Sequence, residues 1–145
     1  MIPPVHFQTL PLNAEALREA ARSSKSGAVL VFEGCARDNH DGRNVLELSY
    51  EAYEPMALAQ LEAMRREAMD KYSLHSCLIH HRLGPTPLAE AAVVIVCASE
   101  HRQESLRAMA WLLDELKERA TIWKRELYGN NLTSWVEGDA RVRSE

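Results

Sequence analysis

The sequence predicts an α+β domain with a mainly antiparallel sheet and three helices. Short β-branched or alternating apolar segments recur between three stretches of helical periodicity, and several come in pairs separated by turn residues. No linker rich in Gly, Pro or Ser divides the chain, and no repeat is visible. At 145 residues one domain over 1–145 is expected, with 138–145 as a flexible tail, and it buries roughly 70% of its unfolded surface.

Each element has a local reason. Val5 to Thr9 is a short strand. Asn13 is placed to cap a helix running to about Ser24, with Glu15 in its first turn and Gly27 as its stop. Ala28 to Glu33 is β-branched and apolar, a buried strand. After the polar segment Ala36 to Asn44, with turn residues Asp41-Gly42, the stretch Val45 to Tyr53 alternates. Leu46, Leu48, Tyr50 and Ala52 share one face, so the two strands read as a long hairpin.

Pro55 suits a helical first turn, and Leu58, Leu61, Ala68 and Tyr72 follow at helical spacing. Leu74 to Leu83 and Ala92 to Ala98 read as strands joined by a Gly84-Pro85-Thr86-Pro87 turn. A third helix covers about Glu100 to Arg119, and Leu132 to Glu137 is a closing strand. The resulting order, β-α-β-β-α-β-β-α-β, puts the helices on one face of the sheet.

Composition narrows the function. Apolar residues are 46% and charged residues 26% of the chain, as in ordinary globular proteins. A net charge of −4 argues against a general nucleic-acid binder. The start of the sequence lacks the pattern of a secretory signal, and its longest apolar run is too short for a bilayer. Cys35, Cys77 and Cys97 are sparse and odd in number, which fits reduced thiols in the cytoplasm. The six histidines show no metal-site spacing, so neither metal nor cofactor is expected.

The third helix carries the most chemistry. At about 100° per residue, Leu106, Met109, Leu112, Leu113 and Leu116 form an apolar stripe, opposite Arg107, Asp114, Glu115 and Glu118. Arg102 falls within the stripe and Lys117 on its flank. A cation against apolar surface either snorkels to water or holds an anion. Lys124 lies seven positions on, so a continuing helix returns it to the same side about 10 Å further along. A desolvated lysine at either position becomes an amine suited to proton transfer or nucleophilic attack. Ser99 is a candidate cap, and His101 and Arg102 in the first turn favour a phosphate or carboxylate. Arg37 and Arg43 add cations after Phe32, with Cys35 beside them as either a reactive thiol or a small strand-end residue. Trp111, on the polar side of the helix, suggests a partner contact.

In order along the chain come Phe32-Glu-Gly-Cys-Ala-Arg37, Gly42-Arg43, and Leu48-Ser-Tyr-Glu51-Ala-Tyr-Glu-Pro-Met56-Ala57. Then follow Ile79-His-His-Arg82-Leu-Gly84, Ser99-Glu-His101-Arg102, Asp114-Glu-Leu-Lys117, Ile122-Trp-Lys124-Arg-Glu126 and Trp135-Val136. This collinear set, over roughly Gly27 to Glu137, closely resembles the large subunit of molybdopterin synthase. Thr121 stands where the family often has proline, and Arg141 and Arg143 have no assigned match.

The resemblance implies an α/β hammerhead-type fold with an additional small antiparallel sheet. It implies a sulfurtransferase that converts cyclic pyranopterin monophosphate to molybdopterin by installing a dithiolene. Sulfur would arrive as a thiocarboxylate on the C-terminal Gly-Gly of a small ubiquitin-like partner, within a heterotetramer built on a homodimer. Lys117 and Lys124 then look like the essential lysines, and Arg37, His101 and Arg102 like pterin and phosphate ligands. Cys35 and Ala36 would contribute by loop position, and Arg125 and Glu126 by their place beside Lys124.

Three other classes compete on the residues alone. A non-catalytic module binding a phosphorylated metabolite would use the same cations. A persulfide carrier would rely on Cys35. An RNA-binding domain shares part of the element order but lacks the stacking aromatics and basic surface.

Overall fold

The computed structural model describes residues 1–129 and, beyond them, the backbone of 133–137 and 141–142. Its elements run β1 (Val5–Gln8), α1 (Ala14–Ala21), β2 (Ala28–Cys35), β3 (Asn39–His40), β4 (Arg43–Ala52), α2 (Glu54–Lys71) and β5 (Ser76–Arg82). They continue with β6 (Gly84–Thr86), β7 (Ala91–Ser99), α3 (Arg102–Arg119), β8 (Ile122–Tyr128), β9 (Thr133–Glu137) and β10 (Arg141–Val142). Three helices with mostly antiparallel strands make this the expected α+β fold. Leu132, and the expected tail apart from β10, lie outside the described residues.

Two sheets share the work. The first has the order β1-β5-β7-β2, with β1 parallel to β5 and the other pairs antiparallel. The second has the order β10-β9-β8-β4-β3, with β6 also pairing β4. Leu61, Met64 and Leu112 from α2 and α3 bury against Cys77, Ile79, Val93, Ile95 and Cys97. The alternate residues Leu78, Val94, Val96 and Ala98 pack under Leu17 and Ala21 of α1. The helices therefore lie on both faces of this sheet, not on one. That explains why β7 is apolar from Ala91 to Ala98: neither face meets water. Each large side chain buried here contributes about 1.5–3 kcal/mol.

The expected long hairpin is not formed. β2 pairs with β7 and β4 with β8, so the chain changes sheets between Cys35 and Asn39. Only the tight β3–β4 turn closes locally, on Asp41 and Gly42 at φ 52° and 80°. In β4, partners step from Val45↔Tyr128 to Glu47↔Leu127, so Leu46 is the extra residue of a bulge. It lies 54% exposed, and Val45 takes the buried place the alternation had assigned to it. The Gly84-Pro85-Thr86 segment, expected as a turn, is β6 and ties the β5–β7 connection to the second sheet.

Helix limits also differ in informative ways. Asn13 caps α1 as expected, its Oδ1 accepting from Ala16 N at 3.0 Å. The helix ends at Ala21, and Gly27 serves another purpose. Its N–H donates to the Glu100 carbonyl at 3.2 Å, and a Cβ there would stand 2.4 Å from that oxygen. Trp111 is half-buried within the chain, its ring 6.2 Å from Tyr72 and 5.3 Å from the Lys71 ammonium. Lys71 and Tyr72 thus cover part of the ring within the chain. Among the described residues no helix is long and apolar enough to cross a membrane, and no cluster of metal-ligating side chains forms.

α3 does not continue to Lys124. It stops at Arg119, with Ala120 already extended, and contacts of Arg119 and Thr121 turn the chain back. Arg119 bridges Glu67 and Glu115 at 2.8 Å each. The Thr121 N–H and hydroxyl both donate to Gln60 Oε1, at 2.9 and 3.0 Å, and its carbonyl accepts from Tyr53 N. A proline at 121 would forgo both of the bonds to Gln60. Lys124 therefore belongs to β8.

Candidate active site

Strand alternation positions the first cation. Along β8, Ile122, Lys124, Glu126 and Tyr128 are buried, while Arg125 on the other face is exposed. In the ladder, Lys124 is opposite Tyr50 and Glu126 opposite Leu48, so these four side chains share one face. Helix geometry positions the second cation. Leu113 and Lys117 are four residues apart on one side of α3, Leu113 half-buried and Lys117 exposed at the rim.

These faces enclose a cleft of about 370 Å³. Phe32, Gly34 and Cys35 at the end of β2 form one wall, Arg37 and Asn39 reach in from the following loop, and Leu48 and Tyr50 form the floor. Leu113 and Lys117 close one side, Lys124 and Glu126 the other. Three cations and one carboxylate thus face a partly apolar space. Lys124 is only 7% exposed and is engaged with neighbouring groups. A cation withdrawn from water as Lys124 is holds an anion and stabilises developing negative charge far better than one in open solvent, whereas Arg37 and Lys117 meet the cleft from its exposed rim.

Of the nine residues singled out in the sequence, the cleft brings together Cys35, Arg37, Lys117, Lys124 and Glu126. Ala36 sits just behind it, 4% exposed in a small cluster with Val45, Leu48 and Tyr128. Its N–H donates to the Glu90 carbonyl at 3.0 Å, and its own carbonyl accepts from Ala89 N at 2.8 Å. Arg125 points away from the cleft face of β8. His101 and Arg102 are exposed at the start of α3. Fifteen residues separate Arg102 from Lys117, about 22 Å along the helix. Ser99 does not cap α3. Its hydroxyl is buried, donating to the His101 carbonyl at 2.5 Å and bonded to Ser105 Oγ at 2.6 Å.

The Cys35 thiol is pushed above its ordinary pKa by burial and by the nearby Glu33 carboxylate. That environment opposes thiolate formation, the reverse of what a nucleophilic or sulfur-carrying cysteine needs.

Sequence reading did not single out Tyr50, Leu48, Asn39 or Leu113 as cleft residues, nor the contacts that hold Glu126. Tyr50 and Leu48 carried a partial signal, since alternation had placed them on one face of a half-buried strand. His40 carried none, because its partner Glu126 is 86 residues away.

The MoaE protein family model matches residues 7–119. The chain is similar to the molybdopterin synthase catalytic subunit of Pyrococcus abyssi, at 38% identity over 90% of this chain and 87% of that protein. It spans 37% of the longer Drosophila melanogaster protein of the same name, at 38% identity over 92% of this chain. It superposes on the crystal structure of molybdopterin synthase from Staphylococcus aureus with a TM-score of 0.87 and 32% identity, covering 93% of this chain and 98% of that one. A complex of subunits 1 and 2 of molybdopterin-converting factor from Helicobacter pylori shares the fold, with a TM-score of 0.78 and 22% identity over 96% and 94% of the two chains. By family match, by identity over most of its length and by fold, this chain belongs to the MoaE family, the family of molybdopterin synthase catalytic subunits.

Proposed function

We propose that the cleft between β2, the end of α3 and β8 is where this chain makes molybdopterin, acting as the catalytic subunit of a molybdopterin synthase. The enzyme class follows from its relatives: a transferase that delivers sulfur to a pterin. The observation that carries the site assignment is the convergence of Arg37, Lys117 and Lys124 on one cleft from a loop, a helix and a strand.

The acceptor is cyclic pyranopterin monophosphate, and the donor is the C-terminal thiocarboxylate of a small ubiquitin-like carrier. Both are anionic, and converging cations lower the cost of bringing them together. Lys117, at the rim of the helix, acts at the reacting carbon as proton donor or transient nucleophile. Lys124 positions the carboxyl-derived group. Arg37 binds the substrate anion, and the apolar wall of Phe32, Leu48 and Tyr50 takes the pterin rings.

His101 and Arg102 cannot serve the same cleft from the same chain across about 22 Å. As phosphate ligands they act from a second copy, in a homodimer carrying one small subunit at each end. The Helicobacter pylori complex of two subunits supports such a partner. A reducing, cytoplasmic setting suits the sparse cysteines.

Reconstitution tests the proposal. The chain is mixed with a thiocarboxylated small subunit and cyclic pyranopterin monophosphate, and the dithiolene is assayed. Product formation is expected; binding of both components without product would leave only a binding module.

A further inference from the structure

Glu126 is 2% exposed, and a carboxylate withdrawn from water needs donors. Two donors meet at one oxygen. His40 Nδ1–H donates to Oε1 at 2.6 Å, and the Tyr128 hydroxyl donates to it at 2.9 Å. The Tyr128 ring lies under the Arg43 guanidinium, 5.0 Å from its centroid.

These contacts have a shared geometry. His40 and Arg43 are the register pair flanking the Asp41-Gly42 turn. Glu126 and Tyr128 are neighbours on the β8 face that also carries Lys124. In the sheet β4 separates β3 from β8, so side chains alone clasp the β3 end of the hairpin to β8.

Arg37 lies between two such anchors. On one side Ala36 is tied through its backbone to Ala89 and Glu90. On the other, His40 is tied to Glu126, and the Asp38 carbonyl accepts from Val45 N at 2.8 Å. A loop of three residues held at both ends loses little freedom when its arginine takes up an anion.

We propose that His40 is a positioning residue: through Glu126 it holds the 37–39 loop so that Arg37 is presented to the anionic substrate at the cleft mouth. The inference rests on the reading of Arg37 as an anion ligand given above. His40 itself touches no reacting atom.

Steady-state kinetics of the enzyme assembled with its thiocarboxylated carrier tests this, varying the pterin substrate. His40→Ala is expected to raise KM about tenfold, with kcat within about twofold, because it disorders a binding loop and not the lysines. His40→Asn keeps an N–H near the Nδ1 position and is expected to bring KM back to within about threefold of wild type. Adding His40→Ala to Arg37→Ala is expected to change KM no further, since both act on one interaction. An unchanged KM in His40→Ala overturns the proposal, as do full multiplication of the two effects and failure of His40→Asn to restore KM. A wild-type KM in Arg37→Ala alone would instead overturn the reading of the cleft beneath it.

Discussion

Lys124 stands directly opposite Tyr50 in the β4–β8 ladder, on the strand face that forms the cleft. Tyr50 is 5% exposed, and its ring packs edge-on against His81 at 5.0 Å between centroids. The floor beneath the lysine is therefore part of the core, and function and stability are joined at this pair.

Tyr50→Ala should accordingly cost about 3–5 kcal/mol of stability, the range for removing a buried aromatic ring. Urea unfolding would measure it. A midpoint equal to wild type would mean that the ring does not support the sheet at this point.

Lys117 is exposed and its replacement should leave the fold intact. Lys117→Arg retains charge, and with it most of the affinity for the pterin, but arginine neither gives up its proton nor attacks carbon at neutral pH. Turnover should fall at least about 100-fold, the scale of acid–base or nucleophilic catalysis. Binding by calorimetry should change little. Wild-type turnover in this variant would show that Lys117 acts through its charge alone and is neither proton donor nor nucleophile.

Cys35 lines the cleft, yet burial and Glu33 raise its pKa. A raised thiol pKa lowers the thiolate fraction at any pH below it, so alkylation by iodoacetamide should be slow at pH 7 and keep rising past pH 9. Cys35→Ala should retain substantial activity when thiocarboxylated carrier is supplied. Loss of activity with substrate binding preserved would favour a persulfide route through this sulfur.

Much of this arrangement was legible in the chain, and the exceptions have physical causes. Periodicity located all three helices, because burial of one face leaves a repeat in the sequence. It ended the third helix at Arg119 but left open whether Lys124 continued it, since spacing along a helix cannot show that Thr121 binds Gln60 and turns the chain into a strand. It paired Ala28–Glu33 with the following strand, because a local turn is visible whereas the β2–β7 ladder joins residues about sixty to seventy apart. It placed α1 with the other helices, although the uninterrupted apolar run of β7 already indicated a sheet covered on both faces. The cations of the site were recognisable by type; their shared cleft is a property of the tertiary fold.

His80 gives a pH signature. It is buried, and burial pushes its pKa below the ordinary value, helped by His6 and opposed by the Nε2 hydrogen bond to the Pro3 carbonyl. The unfolded chain takes up a proton near pH 6.5, while the folded chain resists it. The unfolded state then binds more protons, so stability is lost as pH falls below about 6.5 toward the folded pKa. Melting temperature should drop more between pH 7.5 and 5 for wild type than for His80→Gln. Parallel curves would show that this ring has no part in acid sensitivity.

The central claim is that Lys117 and Lys124, from different elements, act together on one substrate. Single-turnover formation of the dithiolene with thiocarboxylated carrier and cyclic pyranopterin monophosphate measures this in Lys117→Ala, Lys124→Ala and the double variant. Each single change should slow product formation at least about 100-fold, and the double variant should be scarcely slower than the worse single, as for groups working as a unit. Either single variant turning over at the wild-type rate would contradict it.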